Sequence, residues 1–208
     1  MPRCIDRSMH DSPAIALAKK ELRGRMRAVV RAMSDSQRCA ASEAACERIA
    51  RLPAFASAHT IMLYLPLSAE ADCTALLQQC LKEGRHVCVP LVDWSACRME
   101  PVSLTSLEDG ALIMDEHRVR VPRDSQPVSA NSIDVVIVPG LAFDASCRRL
   151  GRAGGFYDRF LARLPSATTT IGLAFEAQIV EDLPVASHDM GVHMVATEQR
   201  LIEARSIS

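Results

Sequence analysis

"SIDVVIVPG", Ser132 to Gly140, decides the fold of this chain. A strand with one wet face alternates polar and apolar residues. Here Val135, Val136, Ile137 and Val138 follow one another without a polar break. Such a branched, unbroken run reads as a strand covered on both faces, as in a parallel sheet between helices. Outward from it the pattern repeats. "HTIMLYL" (59–65), "HVCVPLV" (86–92), "RMEPVSL" (98–104), "TTTIGLAF" (168–175) and "HMVAT" (193–197) read as further strands. The helix-like "CTALLQQCLKEG" (73–84), ended by Gly84, and "FYDRFLARL" (156–164) lie between them. Strands alternating with helices predict an α/β fold, a sandwich built around a largely parallel sheet.

Two helices precede the sheet. From Ala14 to Met33, the residues Ile15, Ala18, Leu22, Met26, Val29 and Met33 recur at helical spacing and predict one buried face. Lys19, Arg23, Arg27 and Arg31 recur every four residues as a basic stripe. "SDSQ" then offers a capping box, with Ser34 and Gln37 opening a helix that should reach about Leu52 before Pro53 stops it. The polar "PRDSQPVSANS" (122–132) reads as a loop. The organisation expected is a loose extension over residues 1–13 and a single domain over 14–208.

Composition narrows the class. The chain has 208 residues, 49% of them hydrophobic, with a net charge of −1. That suits a core of ordinary size and argues against bulk attraction to nucleic acid or anionic membranes. No apolar run approaches the ~20 residues that cross a bilayer, and "MPRCIDRSMHDSP" lacks the apolar segment of a secretory signal. The eight cysteines show no CxxC pair and no zinc spacing, so free thiols in a reducing cytoplasm are expected.

The most unusual composition follows the central strand. "RRLGRAGGFYDRF" (148–160) packs Arg148, Arg149 and Arg152 among glycines, then turns into a helix. Glycines let backbone N–H groups face a ligand, a helix start adds partial positive charge, and arginines offer forks for phosphate oxygens. Read from spacing alone, the stretch is either an anion cradle or a solvated turn. It matches neither GxxxxGK[ST] nor GxGxxG.

The longer stretch "VPGLAFDASCRRLGRAGGFYDRF" resembles the signature of the 5-formyltetrahydrofolate cyclo-ligase family, also called 5,10-methenyltetrahydrofolate synthetase. "AKKELRGRMR", "YLPLSAEAD" and "IGLAFEAQIVEDLPVASHDMGVHMVATE" resemble further segments of that family, in order. The resemblance implies a three-layer α/β/α sandwich. It also implies ATP- and magnesium-dependent cyclisation of 5-formyltetrahydrofolate to 5,10-methenyltetrahydrofolate, with ADP and phosphate released. The alternative is a non-catalytic folate- or nucleotide-binding paralogue with an altered phosphate loop.

Carried over by position, the resemblance implies that ATP is bound by Lys19, Arg23, Arg149, Leu150, Gly151, Arg152, Ala153, Gly154, Gly155, Phe156 and Tyr157. Catalytic roles fall on Arg149, Arg152 and Tyr157. The folate side falls on Leu65, Glu70, Arg152, Gly154, Gly155 and Phe156, and the magnesium ligands are Asp158 and Asp189. The partners implied are a reduced folate and ATP, handled by a monomer that uses neither nucleic acid nor membrane. The family pattern has glycine where this chain has Cys147 and Ala153, threonine at Cys73, an acidic residue near His193, and an aromatic residue near His117.

Overall fold

The computed structural model describes residues 11–204. Helices α1 (Pro13–Ala32), α2 (Asp35–Ala50) and the single turn α3 (Pro53–Ala56) come first. Ser12 caps α1 by accepting from the Ile15 N–H, and Pro13 sits in the first turn, where its missing N–H is no loss. The extension expected over residues 1–13 lies, for residues 1–10, outside the described residues. Ser34 and Gln37 form the capping box their spacing predicts. α2 ends at Ala50, short of the expected Leu52, because Leu52 already adopts the extended backbone favoured before Pro53.

The remaining elements are β1 (Thr60–Met62), α4 (Thr74–Lys82), β2 (His86–Asp93), β3 (Arg98–Ser103), β4 (Leu112–Met114) and β5 (Arg120–Pro122). After them come β6 (Val135–Pro139), β7 (Ala142–Asp144), β8 (Arg149–Leu150) and α5 (Phe156–Leu161). The chain closes with β9 (Thr169–Leu173), β10 (Ile179–Val180), β11 (Met194–Ala196) and β12 (Leu201–Glu203). A seven-stranded sheet runs in the order β12-β11-β9-β6-β1-β2-β3. Its interior pairings are parallel, and only the edge strands β3 and β12 run antiparallel.

The central strand β6 shows why the fold has three layers. Val135 and Ile137 enter the core shared with α2 and α4, whereas Val136 and Val138 enter the core that holds Phe160 and Leu161 of α5. Successive side chains leave on opposite faces, so an all-apolar strand needs cover on both. α1 stands apart from this arrangement. Its Leu22 and Met26 pack on Leu141, Ala142 and Leu150, which lays the helix across the segment following β6.

Four details differ from the sequence reading. The segment 139–155 between the central strand and the helix at Phe156, for which the sequence offered no strand, contains β7 and β8, and β10 completes a small sheet with them. The stretch 156–164 is helical only to Leu161. On α1 the inward face carries Lys19, Leu22, Met26 and Val30, so Lys19 belongs to the buried stripe while Arg27 and Arg31 stay in solvent. Finally, β4 and β5 form a hairpin that no turn signal had marked, and β12 adds a strand after "HMVAT", the last strand expected.

The sheet order reverses at β1, with β2 on one side and β6 on the other. The loops leaving the two strands diverge there, and a crevice opens at their carboxyl ends.

Candidate active site

Two adjoining cavities occupy that crevice. The larger, about 310 Å³, is walled by Tyr64 and Leu65 after β1, by Pro139 and Gly140 ending β6, and by Glu70. The smaller, about 20 Å³, lies where Lys19 and Arg23 of α1 meet Leu150, Ala153, His188 and Asp189. Arg149, Gly151, Gly155 and Asp158 line both. Of the other candidates, Arg152, Gly154, Phe156 and Tyr157 face the larger cavity. Every site residue carried over from the family resemblance therefore lines one of two cavities that share a wall, whereas Arg148, read as a further fork for phosphate, lines neither and pairs with Asp144 and Asp182 instead.

In the larger cavity Glu70 is nearly enclosed, its side chain 8% exposed. It accepts from the Leu67 N–H at 3.1 Å and from Arg152 Nη1 at 3.2 Å. Burial pushes its carboxyl above the ordinary value of 4.5, against the pull of the Leu67 N–H and the Arg152 charge. A carboxylate so placed is a strong acceptor for paired N–H donors of a ligand. Tyr157 lies beneath the Arg149 guanidinium, 5.5 Å from ring centroid to Cζ. Burial lifts its phenol well above 10, so it stays neutral and keeps its proton available to donate.

The opposite wall contains a residue the motif did not name. Trp94 meets Phe156 edge-on, with centroids 5.3 Å apart, and stacks on His117 at 4.2 Å. His117 thus supports the wall through Trp94. The available signal was composition: Trp94 is the sole tryptophan in a chain only 4% aromatic. Arg120 of β5 also lines this cavity, hydrogen-bonded to the Pro66 carbonyl at 3.1 Å.

The smaller cavity is densely charged. Arg149 is 4% exposed, donates to Asp158 Oδ1 at 2.8 Å and to the Pro139 carbonyl at 3.3 Å, and has a buried Nε with no hydrogen-bond partner. A buried guanidinium donor left unmatched favours an anionic acceptor. Lys19 forms ion pairs with Asp11 at 2.9 Å and Asp189 at 2.7 Å. Arg23 Nε donates to the Gly151 carbonyl at 2.9 Å, which fastens α1 to the loop. Asp158 also accepts from the Met190 N–H at 3.2 Å, and Asp189 from the Ala186 N–H at 2.7 Å.

Asp158 and Asp189, together with Asp11, give this cavity three carboxylates beside the cationic Lys19, Arg23 and Arg149. Among the described residues no three His, Cys, Asp or Glu side chains gather as a metal cage. Of the three carboxylates, the pair Asp158 and Asp189 fits magnesium, which takes one or two carboxylates from the protein and completes its shell with phosphate oxygens and water.

The loop's backbone bears on the two departures from glycine. Cys147 has φ 58° and Ala153 has φ 101°, both in the left-handed region that glycine enters freely. Gly155 shares that region at φ 61°. Gly154 is needed for space instead, since a Cβ there would lie 2.5 Å from the Phe156 ring.

Comparisons with known proteins identify the family. The model of the 5-formyltetrahydrofolate cyclo-ligase family matches residues 16–198. The 5-formyltetrahydrofolate cyclo-ligase of Escherichia coli K12 is 32% identical over 179 residues, covering 83% of this chain and 96% of that protein. The mouse protein of the same name is 28% identical over 190 residues, with 87% and 94% covered. The solution structure of Aquifex aeolicus 5,10-methenyltetrahydrofolate synthetase superimposes with a TM-score of 0.79 at 28% identity, covering 91% and 94%.

Proposed function

Since the chain belongs to the 5-formyltetrahydrofolate cyclo-ligase family, we propose that it closes 5-formyltetrahydrofolate to 5,10-methenyltetrahydrofolate at the expense of Mg-ATP, releasing ADP and phosphate. One observation carries this reading: Arg149, Gly151, Gly155 and Asp158 form a wall common to both cavities. Phosphoryl transfer between two bound substrates needs such a wall, because donor and acceptor oxygens have to meet in line.

The chemistry explains the need for ATP. A formamide oxygen is a poor leaving group. Transfer of the γ-phosphoryl to that oxygen breaks the bond to ADP and converts the oxygen into part of a phosphate ester. The neighbouring folate nitrogen then attacks the formyl carbon, the carbon–oxygen bond breaks, and phosphate leaves with the former formyl oxygen. The nitrogen's proton passes to solvent.

In this scheme Glu70 accepts hydrogen bonds from the pterin, and Leu65, Phe156 and Trp94 supply its apolar wall. Lys19, Arg23 and the loop 149–157 hold the triphosphate, with Arg152 near the reacting group. Arg149 stabilises charge on the phosphoryl in flight, where a preorganised donor counts most. Asp158 and Asp189 would hold magnesium, which neutralises phosphate charge when bound. Buried thiols are pushed up by desolvation, Cys46 and Cys88 to about 12 and Cys80 to about 11, and as protonated, inert thiols they suit a reducing cytoplasm.

The test is an isotope. With 5-formyltetrahydrofolate labelled with heavy oxygen in the formyl group, the label should emerge in inorganic phosphate while methenyl absorbance rises in the near ultraviolet. Label retained in water or folate would exclude this route. Folded protein that binds both ligands without product would instead be a binding paralogue.

A further inference from the structure

Arg159 lies one turn into α5 and lines neither cavity. Its Nη2 nevertheless donates to the Gly154 carbonyl at 2.8 Å, and its guanidinium sits 5.2 Å from the centroid of the Phe156 ring. That ring is pressed so closely on Gly154 that no Cβ fits between them. Gly154, Phe156 and Arg159 therefore form one packed unit, with Trp94 against the ring's edge.

The backbone geometry gives this unit a purpose. In a planar trans peptide the carbonyl and the following N–H point in opposite directions. With the Gly154 carbonyl drawn toward Arg159, the Gly155 N–H is turned away from it, and Gly155 lines both cavities. The tether also keeps a carbonyl oxygen from facing a phosphate it would repel.

We propose that Arg159 is a positioning residue for the site: it grips the Gly154 carbonyl and the Phe156 ring from behind, so one side chain sets both the nucleotide loop and the folate wall. This rests on the reading of the loop as a nucleotide site.

The experiment is a calorimetric titration of the purified protein with Mg-ATP, alongside its melting temperature. R159M keeps the length but loses donor and charge. Its affinity for Mg-ATP should fall about tenfold, the worth of a charged hydrogen bond, with melting little changed. R159K restores a donor and a cation and should recover most of the loss. Wild-type affinity in folded R159M overturns the inference, as does an R159K no tighter than R159M. If R159M does not fold, R159Q is read against the same limits. If the wild-type protein does not bind Mg-ATP, this inference falls with the reading beneath it. Binding without methenyl product sinks that reading alone.

Discussion

Ala153 shows how much a single residue carries. Its φ of 101° places a Cβ where backbone geometry favours none, at a cost on the order of 1–2 kcal/mol. Ala153→Gly relieves that strain and clears the methyl from the smaller cavity, so the Michaelis constant for ATP should stay level or fall. A marked rise would show that the loop has adapted around the methyl. The sequence disclosed the departure from glycine at 147 and 153, but only the backbone angle gave it physical meaning. Glu70 yields a second expectation. Burial raises its carboxyl, so as pH falls it takes a proton above the range of an ordinary glutamate. Folate affinity, which needs the ionised form, should weaken along that limb while ATP affinity holds. Glu70→Gln should lower affinity and abolish the limb; an unchanged pH profile would remove Glu70 from the pocket's recognition. Asp158→Asn should lose activity that excess magnesium partly restores by mass action. Activity unaltered at limiting magnesium would make Asp158 a structural acid that holds Arg149 and the Met190 N–H.

At the scale of elements, α1 joins two jobs that its sequence pattern kept apart. Its basic residues read as one stripe, yet Lys19 lies in the buried row with Leu22 and Met26. Periodicity assigns a lysine to solvent by default, and nothing local announces that Asp11 and Asp189 wait for it inside. Lys19→Ala would strand two buried carboxylates, so it should destabilise the protein by about 3–5 kcal/mol as well as weaken ATP binding. Arg23→Ala touches a half-buried side chain and should act chiefly on the Michaelis constant for ATP. Equal losses for both substrates with lowered melting would mark Arg23 as structural. Two of the strands missed from sequence share a cause. β8 and β10 each contain only a pair of residues, too few for alternation to register, and they are recognisable only through their partner β7. Trp94 escaped for the same reason: its place beside Phe156 is fixed by distant segments.

At the scale of the molecule, the site follows from sheet order. β6 and β1 lie side by side, and the chain leaves their carboxyl ends in different directions. The doubly buried β6 was legible from "SIDVVIVPG" because burial on both faces requires an unbroken apolar run. The crevice was legible only as a rule of such sheets, and its division into two cavities was not legible at all. That division is the centre of the account: Arg149 stands in the wall between the two cavities, held by Asp158 and the Pro139 carbonyl. The most direct measurement is the steady-state kinetics of Arg149→Ala beside Arg149→Lys, with methenyl formation followed at saturating folate and Mg-ATP. A donor used mainly in the transition state should cost ~10²–10³ in kcat when removed, with smaller changes in either Michaelis constant. Lysine, a charge without the planar fork, should restore only part. An Arg149→Ala enzyme with near wild-type kcat would contradict the claim that phosphoryl transfer takes place across this wall.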